Sequence, residues 1–442
     1  MKNKNSLKKF FAAGSVILSL TMESFGADYT VHEWGTFTSV QGGDGELLSW
    51  RPLQTSELPG FVHGWKQPGM NRQLNGILNG NEPVLFTGPK ETMITLQRME
   101  TPVIYFYSDK SINVDVSVKF PKGLITEWYP QATQIGPSHP ANTNLASGAL
   151  PESRALWNNL KLLPLADQTG GKYRPPQDES GSHYFAARAT SASMVSENFT
   201  DQTNNVSEVE KFIFYRGVGN FKTPMHVTVD TQSRVVIQNT GSEKLSGLFL
   251  ISIHTTNNET IGSVTSANSL AGGQSLEWPF FGRVQQNWQG SPLPQFQTNI
   301  ATKMEAALVS EGLFPDEAKA MVNTWKDSWF TEEGDRVLYI LPRTWTDETL
   351  PLTLDPKPEK LTRVMVGRAE IITPNVEMNL FTTLNKAQNG DADARLQATA
   401  QLKQFGRFVD PALQLANRHA SQTNIVTLGY ELLNGSKQLA FE

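Results

Sequence analysis

The feature that most constrains this chain is an alternation of apolar and polar residues. It begins at Ile112 and continues through Val114, Val116 and Val118 to Phe120, with a polar residue after each of the first four. Successive side chains of a strand point to opposite faces, so a period of two predicts a strand with one buried and one exposed face.

Other strand-forming runs accompany this segment. Dense β-branched and aromatic runs flank it at 101–107 and 124–129, and the turns between them are short, which predicts a three-stranded meander. Four further runs follow, at 212–216, 225–229, 234–238 and 245–254. Strands at about ten-residue spacing, separated by Gly, Asn and Ser turns, favour an antiparallel β-sandwich, immunoglobulin-like or similar.

The chain changes character near residue 296, where helical periodicity begins. Apolar residues at helical spacing predict helices over 300–308, 315–329, 375–384 and 391–405, and strand-like runs lie between them. We therefore predict a mainly β fold with a sandwich domain over about 27–295 and a mixed α+β domain over about 296–442. Within the first domain, the Pro-, Gly-, Ser- and Asn-rich stretch at about 130–209 predicts a long irregular insertion.

Residues 1–26 have the layout of a secretory signal peptide. A basic segment precedes the uncharged stretch 10–22, and Ser24 and Gly26 stand at −3 and −1 of a plausible cut before Ala27. A bilayer-spanning helix needs about 20 apolar residues, and this stretch is shorter. The pattern predicts a periplasmic or secreted protein with no membrane segment after cleavage. An uncleaved anchor is the alternative.

The composition of the chain excludes several kinds of chemistry and argues against one class of partner. The chain has no cysteine, which excludes disulfides, thiolate nucleophiles and Cys-type zinc sites. The formal net charge is −5, and the chain beyond the basic leader is more acidic still. An acidic chain without a Lys/Arg-rich stretch repels phosphate backbones, so we expect no nucleic-acid partner. No Walker loop or complete GxGxxG occurs, and no cofactor is predicted.

The densest polar and aromatic cluster runs from His32 to Thr36. In a strand, His32 and Trp34 point to one face and Glu33 to the other. Gly35 leaves backbone room for a ligand to approach, which favours a functional interpretation. In the structural alternative, Trp34 fills the core, while His32 and Glu33 satisfy backbone or arginine partners.

A second pairing of an acid with an aromatic residue occurs at Glu127 and Trp128. Aromatic rings stack on sugar faces, and a desolvated carboxyl group can donate a proton. If their carboxyl groups lie about 5 to 9 Å apart, Glu33 and Glu127 are candidates for glycoside cleavage. The alternative is that the tryptophan belongs to the core.

His183, Arg188 and Arg216 are further candidates. His183 and Arg188 lie close together near the end of the irregular stretch, and Arg216 ends a strand before a Gly turn. Each arginine could clamp an anionic group or form an internal ion pair with Glu33 or Glu127. A metal centre built from His32, Glu33 and His183 lacks paired ligand spacing, so no metal site is predicted.

Five segments resemble those of a family of exported bacterial proteins. They are HEWGTFT (32–38), METPVIYFY (99–107), FYRGVGNF (214–221), AMVNTWKDSWF (320–330) and RVMVGRAEI (363–371). The similarity covers most of the chain after residue 27, and HEWGTFT is the most unusual of the five. The family has no assigned activity, so the resemblance implies export and a shared fold and implies no catalytic residue.

Two functions are therefore expected from the sequence. The first is binding of a glycan or other extracellular polymer through aromatic, His and Arg side chains, namely His32, Trp34, Trp128, His183, Arg188 and Arg216. The second is hydrolysis through Glu33 and Glu127. An open cleft with Glu33 unpaired by arginine favours the enzyme, whereas a site sealed by arginine favours binding or a structural role.

Overall fold

A computed structural model describes residues 27–53, 58–64, 94–136, 153–164, 173–201, 204–256, 258–278, 290–420 and 425–438. The predicted signal peptide, 1–26, lies outside the described residues. Strand exceeds helix, 45% against 29%, and the helices concentrate toward the C-terminus. The prediction of a mainly β fold with a C-terminal α+β part is confirmed.

The described strands are β1 (Ala27–Gly42), β2 (His63–Gly64), β3 (Gln97–Tyr107), β4 (Ile112–Phe120), β5 (Gly123–Tyr129), β6 (Gln134–Gly136), β7 (Ser153–Leu163), β8 (Met194–Asp201), β9 (Asn204–Glu210), β10 (Ile213–Gly219), β11 (Met225–Val229), β12 (Val235–Asn239), β13 (Leu245–Thr256), β14 (Glu259–Leu270), β15 (Ser275–Trp278), β16 (Ser291–Pro292), β17 (Gly334–Ile340), β18 (Leu352–Asp355) and β19 (Pro358–Ile372). The described α-helices are α1 (Leu293–Ser310), α2 (Pro315–Phe330), α3 (Arg343–Thr349), α4 (Pro374–Gln388), α5 (Ala392–Gln404), α6 (Val409–Asn417) and α7 (Ile425–Gln438). Two 3₁₀ helices cover His183–Arg188 and Gly406–Phe408.

These strands form three sheets. The large sheet has the order β16-β14-β13-β17-β19-β1-β3-β10-β5-β2. The outer sheet has the order β18-β4-β7-β8-β9, with β6 also paired to β7, and the small sheet has the order β11-β12-β15. At the centre of the large sheet β1 and β19 are parallel, and the other pairings between described strands are antiparallel.

One face of the large sheet packs against both smaller sheets, as a sandwich requires. Val31 and Ile104 of the large sheet share a buried core with Val116 and Trp157 of the outer sheet and Ile237 of the small sheet. Apolar side chains from facing layers interdigitate in such a core, and their removal from water is the main stabilising term.

The opposite face of the large sheet is covered by helices. Trp34 and Tyr105 pack there with Met304 of α1 and with Met321 and Trp325 of α2. A third core lies among the C-terminal helices α4 to α7, where it includes side chains from the β1 and β19 ends and the segment that follows β1. The helices at the positions predicted from periodicity are confirmed.

The predicted meander is wrong, although its three strands are present. β3 and β5 both pair with β10 in the large sheet, whereas β4 belongs to the outer sheet. The burial pattern gives the reason. β3 and β5 are buried on both faces, while β4 alternates between buried and more exposed residues, and only an outer layer leaves one face in contact with water.

The predicted irregular insertion at about 130–209 is also wrong for much of the described part, which contains β6 to β9. In β7 a bulge hides the period of two, because Asn158 and Asn159 together lie opposite Asp115. Asn159 adopts a φ of 60°, and its backbone N–H donates to the Asp115 carboxylate over 2.6 Å. Such a bulge shifts the alternation by one residue, so a strand no longer shows it along its whole length.

The predicted domain boundary near residue 295 falls within one continuous sheet. β1 and β13 precede it in sequence, while β17 and β19 follow it, and all four are part of the large sheet. The β1–β19 ladder extends from the Ala27–Pro358 pair to the Gly42–Ile372 pair. The two predicted parts therefore share a sheet and its cores.

Candidate functional site

The HEWGT segment lies in β1 at the centre of the large sheet. His32 and Trp34 point to the helix-covered face, and Glu33 points into the sandwich. All three side chains are fully buried. A polymer in solution cannot contact them. Their burial agrees with the alternative interpretation, in which Trp34 fills the core and His32 and Glu33 have partners inside the protein.

Glu33 is sealed by an arginine and a tyrosine. Arg363 Nε donates to Glu33 Oε2, and the Tyr215 hydroxyl donates to Glu33 Oε1 over 2.5 Å. Arg363 is itself fully buried, and its Nη1 also contacts Asp347 Oδ1 at 2.8 Å. Burial is the largest single influence and lowers the pKa of the Arg363 guanidinium, but Glu33, Tyr215 and Asp347 together outweigh it, so the pKa is raised. Glu33 is thus the internal counter-charge of Arg363.

The space beside Gly35 is filled by the protein itself. A Cβ at this position would lie 2.9 Å from Pro102 Cα and 3.0 Å from Met365 Sδ. The β1–β3 register shifts between Trp34 and Thr36, which brings the Pro102 backbone close to the glycine. Gly35 is therefore required by neighbouring backbone, and the predicted room for a ligand is not present.

His32 connects β1 to the start of α2. His32 Nδ1 lies 2.7 Å from Glu317 Oε2, and the Tyr107 hydroxyl donates to Glu317 Oε1 over 2.7 Å. Glu317 also accepts a hydrogen bond from the Phe314 backbone N–H, as in the capping of a helix N-terminus. This buried group fixes the position of α2 on the sheet.

Glu127 pairs with Arg216 and does not meet Glu33. Arg216 Nε and Nη2 lie 2.9 and 2.8 Å from the two Glu127 carboxylate oxygens. Tyr215 and Arg216 are adjacent on β10 and point to opposite faces of the sheet. Because Glu33 bonds Tyr215 and Glu127 bonds Arg216, the two carboxylates lie on opposite faces. They cannot act together on one glycosidic bond.

The Glu127–Arg216 pair is close to a buried network of charges. Arg368 Nη2 contacts Glu332 at 2.6 Å and Glu370 at 2.8 Å, and Arg407 Nη1 contacts Glu100 at 3.0 Å. Burial opposes ionisation of Glu332, but Arg368 and Arg407 hold its pKa at about 2. Network charges of this kind are compensated by neighbours, so their cost of burial is offset within the fold.

Trp128 belongs to the sandwich core, whereas His183 and Arg188 lie in the 3₁₀ helix on the helix-covered side of the large sheet. Trp128 is fully buried, and the His183 ring contacts the Trp325 ring in a tilted arrangement with centroids 5.0 Å apart. Arg188 Nε and Nη2 bond the buried Glu210 carboxylate at 2.9 and 2.6 Å. Both arginines of the predicted set therefore form internal ion pairs: Arg216 pairs with Glu127, one of the two expected partners, whereas Arg188 pairs with Glu210, which the sequence did not suggest.

The structure contains a cavity that the sequence did not indicate. Its volume is about 350 Å³, and it lies where the start of β17 and the end of β19 meet α4 and α5. We call it the α4–α5 cavity. Its hydroxyl and amide lining consists of Ser233, Thr373, Asn375, Asn379, Gln401 and Gln404.

Aromatic and acidic groups complete the lining of this cavity. Phe405 and Phe408 contribute rings, and His254 contributes an imidazole beside the carboxylate of Asp335. Ser252 donates to Asp335 over 2.5 Å and lies 3.0 Å from His254 Nε2. Because one ring nitrogen contacts both partners, this group fixes the imidazole and lacks the relay of a hydrolytic triad.

One lining amide has a buried acceptor atom. The Gln401 amide nitrogen reaches Asn379 Oδ1 at 3.5 Å, while Gln401 Oε1 is buried without a hydrogen-bond partner in the described part of the chain. A buried acceptor without a partner costs about 1–3 kcal/mol of stability. None of the described residues that line the cavity is a lysine or arginine.

The sequence could not have revealed this cavity. Its residues come from β13, β17, β19, α4, α5 and the loop between β11 and β12, so no motif or spacing joins them. The only signal was helical periodicity, which places Asn375 and Asn379 on one face of α4 and Gln401 and Gln404 on one face of α5.

No group of three or more His, Asp or Glu side chains within the described ranges is placed to hold a metal ion. No helix in the same ranges is both long enough and apolar enough to cross a lipid bilayer.

Comparisons with known proteins add little. No protein-family model matches the chain, and no curated protein matches it. Among solved structures, the yeast delta-COP-I mu-homology domain complexed with a Dsl1 WxWxV peptide is similar to 78% of this chain and 96% of its own. The identity is 7% and the TM-score 0.23, so this likeness carries no argument about fold or function.

Proposed function

We propose that this is an exported binding protein that holds a neutral polyhydroxylated ligand, such as a terminal unit of a glycan, in the α4–α5 cavity. The leader-like layout of residues 1–26 supports export. The observation that carries the binding proposal is the lining of this cavity, to which six residues with side-chain amides or hydroxyls and two phenylalanines contribute.

The size of the cavity agrees with a small ligand. Its volume of about 350 Å³ lies at the lower end of the range for small-molecule sites, about 300–1,000 Å³. A polymer chain is too large to enter, so the ligand is a free small molecule or the end of a polymer.

The chemistry of the lining favours a neutral ligand with many hydroxyl groups. Side-chain amides both donate and accept, and a sugar hydroxyl does the same. The rings of Phe405 and Phe408 offer apolar area for a C–H face. The carboxylates of Glu333, Asp335 and Glu370 also line the cavity, and they disfavour anions.

The proposal does not extend to hydrolysis. Glu33 and Glu127, the predicted catalytic pair, point to opposite faces of the large sheet, and each is paired with an arginine. Pairing of these carboxylates with arginines favours a binding or structural role over hydrolysis.

A binding experiment on a matched pair of variants tests the proposal. Neutral mono- and oligosaccharides are screened by calorimetry against the wild type, Gln401→Leu and Gln388→Leu. Gln388 is an exposed glutamine of α4 and lies outside the cavity lining. In Gln401→Leu, a ligand hydroxyl that hydrogen-bonds the Gln401 amide loses its partner, and binding is expected to be about 10- to 100-fold weaker. The control is expected to keep wild-type affinity.

Two results contradict the proposal. The first is that no neutral saccharide or polyol binds the wild type at millimolar concentration. The second is that Gln401→Leu binds a ligand as tightly as the wild type, which places that ligand elsewhere on the protein.

A further inference from the structure

Two glutamates lie directly opposite each other in the outer sheet. Glu197 of β8 pairs with Glu208 of β9 in the antiparallel register. Directly opposed side chains point to the same face, with Cβ atoms about 4.5–5.5 Å apart, and like charges in such a pair destabilise a sheet. The pair is far from the α4–α5 cavity in sequence and shares no residue with it.

One glutamate of the pair is held in place. Glu208 Oε1 lies 2.8 Å from His63 Nε2, and Glu208 Oε2 accepts from the Gln131 backbone N–H over 2.6 Å. The Glu208 side chain is 14% exposed, so water and ions reach it. Each carboxylate oxygen has two lone pairs, and the second on each remains available.

The other glutamate lacks compensation. Glu197 is 5% exposed, and its Oε2 is buried without a hydrogen-bond partner in the described ranges. Arg188 bonds Glu210, which lies two residues beyond Glu208 at the end of β9. Burial and then the charge of Glu208 raise the pKa of Glu197 to about 7, as expected for a carboxyl group that lacks a counter-charge.

We propose that Glu197 and Glu208 together bind a hard divalent cation, with Ca²⁺ as the best fit. Such a cation takes carboxylate oxygens as ligands and adapts to irregular geometry by completing its shell with water and carbonyl oxygens. The cation would offset the repulsion between the two carboxylates and would give the unpartnered oxygen of Glu197 a binding partner. With two side-chain carboxylates, the site has a dissociation constant on the order of 10⁻⁴–10⁻³ M, as in weak extracellular calcium sites.

Calcium titration of the full chain tests this proposal. The wild type, Glu197→Gln and Glu359→Gln are freed of metal with EGTA and titrated with CaCl₂ at pH 8, by calorimetry and by thermal unfolding. Glutamine keeps the shape of the side chain and removes the repulsion, so the Glu197→Gln protein is expected to fold. Glu359 is an exposed residue of β19, and its variant controls for the change in net charge.

The two variants are expected to separate clearly. At ten times the dissociation constant, Ca²⁺ raises the melting temperature of the wild type and of Glu359→Gln by about 2 °C. Glu197→Gln is expected to bind at least tenfold more weakly and to show no shift. Absence of calcium binding to the wild type up to 10 mM overturns the proposal. So does an equal shift in Glu197→Gln, which places the ion elsewhere.

Discussion

Replacement of Glu33 by glutamine is expected to cost the protein several kcal/mol of stability. In the structure Glu33 and Arg363 are both fully buried, and Glu33 is the charge that compensates the guanidinium. A neutral amide at this position leaves Arg363 charged in a medium that solvates it poorly. Removing one partner of a buried ion pair costs about 3–5 kcal/mol.

This loss can be converted into a melting temperature. Unfolding entropy is about 2.1 cal/mol/K per residue, which gives about 0.9 kcal/mol/K for a chain of 442 residues. The expected decrease in melting temperature is therefore about 3–5 °C, measured by calorimetry or circular dichroism. The exposed Lys110–Asp28 pair provides the control, with side chains 68% and 73% exposed. Lys110→Met is expected to change the melting temperature by about 1 °C or less.

A second variant separates the buried charge from other effects. If the uncompensated guanidinium causes the loss, adding Arg363→Met to Glu33→Gln is expected to restore part of the stability, since an apolar side chain needs no counter-charge. A Glu33→Gln protein that melts within 1 °C of the wild type would refute the reasoning. Such a result would also favour a functional role for Glu33, because substitution of a functional residue is expected to leave folding intact.

Two other perturbations address pH and packing. The pKa of Glu197 is about 7 in the folded chain against an ordinary value of 4.5, so folding favours its protonated form. Its contribution to stability is fully present below about pH 4.5 and is lost as the pH rises through 7. In EDTA, the melting temperature of Glu197→Gln should therefore fall less between pH 5 and 8 than that of the wild type. Equal decreases in the two proteins would contradict this. Gly367→Ala places a Cβ 2.2 Å from Tyr339 Cζ and should lower the melting temperature by about 3 °C, because the buried ring has no space to move. Gly60→Ala, whose Cβ meets nothing within 4 Å, should differ from the wild type by less than 1 °C.

The elements of this fold were more predictable than their arrangement. The period of two in β4 and the helical periods of α1, α2, α4 and α5 are local properties of the sequence, and the structure has those elements. Assignment of a strand to a sheet depends on partners far along the chain. β4 leaves the expected meander because its exposed face requires an outer layer, a requirement that no short stretch of sequence expresses.

The partners of the candidate site residues were even less predictable from the sequence than the arrangement of the strands. His32 and Glu317 are 285 residues apart, and Glu33 and Arg363 are 330 apart, so neither pairing could be deduced from spacing. A charged residue in a strand predicts a partner without identifying it. Glu197 and Glu208 could not be identified for a related reason, since the stretch that contains them has few apolar residues and its composition predicts an irregular segment.

The parallel pairing of β1 with β19 has a consequence for how the molecule forms. The first strand of the described chain occupies the middle of the large sheet, and its neighbour β19 begins at Pro358. The central ladder cannot close until that late segment has been synthesised, and contacts so distant in sequence slow folding. A shortened chain that lacks β19 would expose both edges of its interrupted sheet and is expected to aggregate.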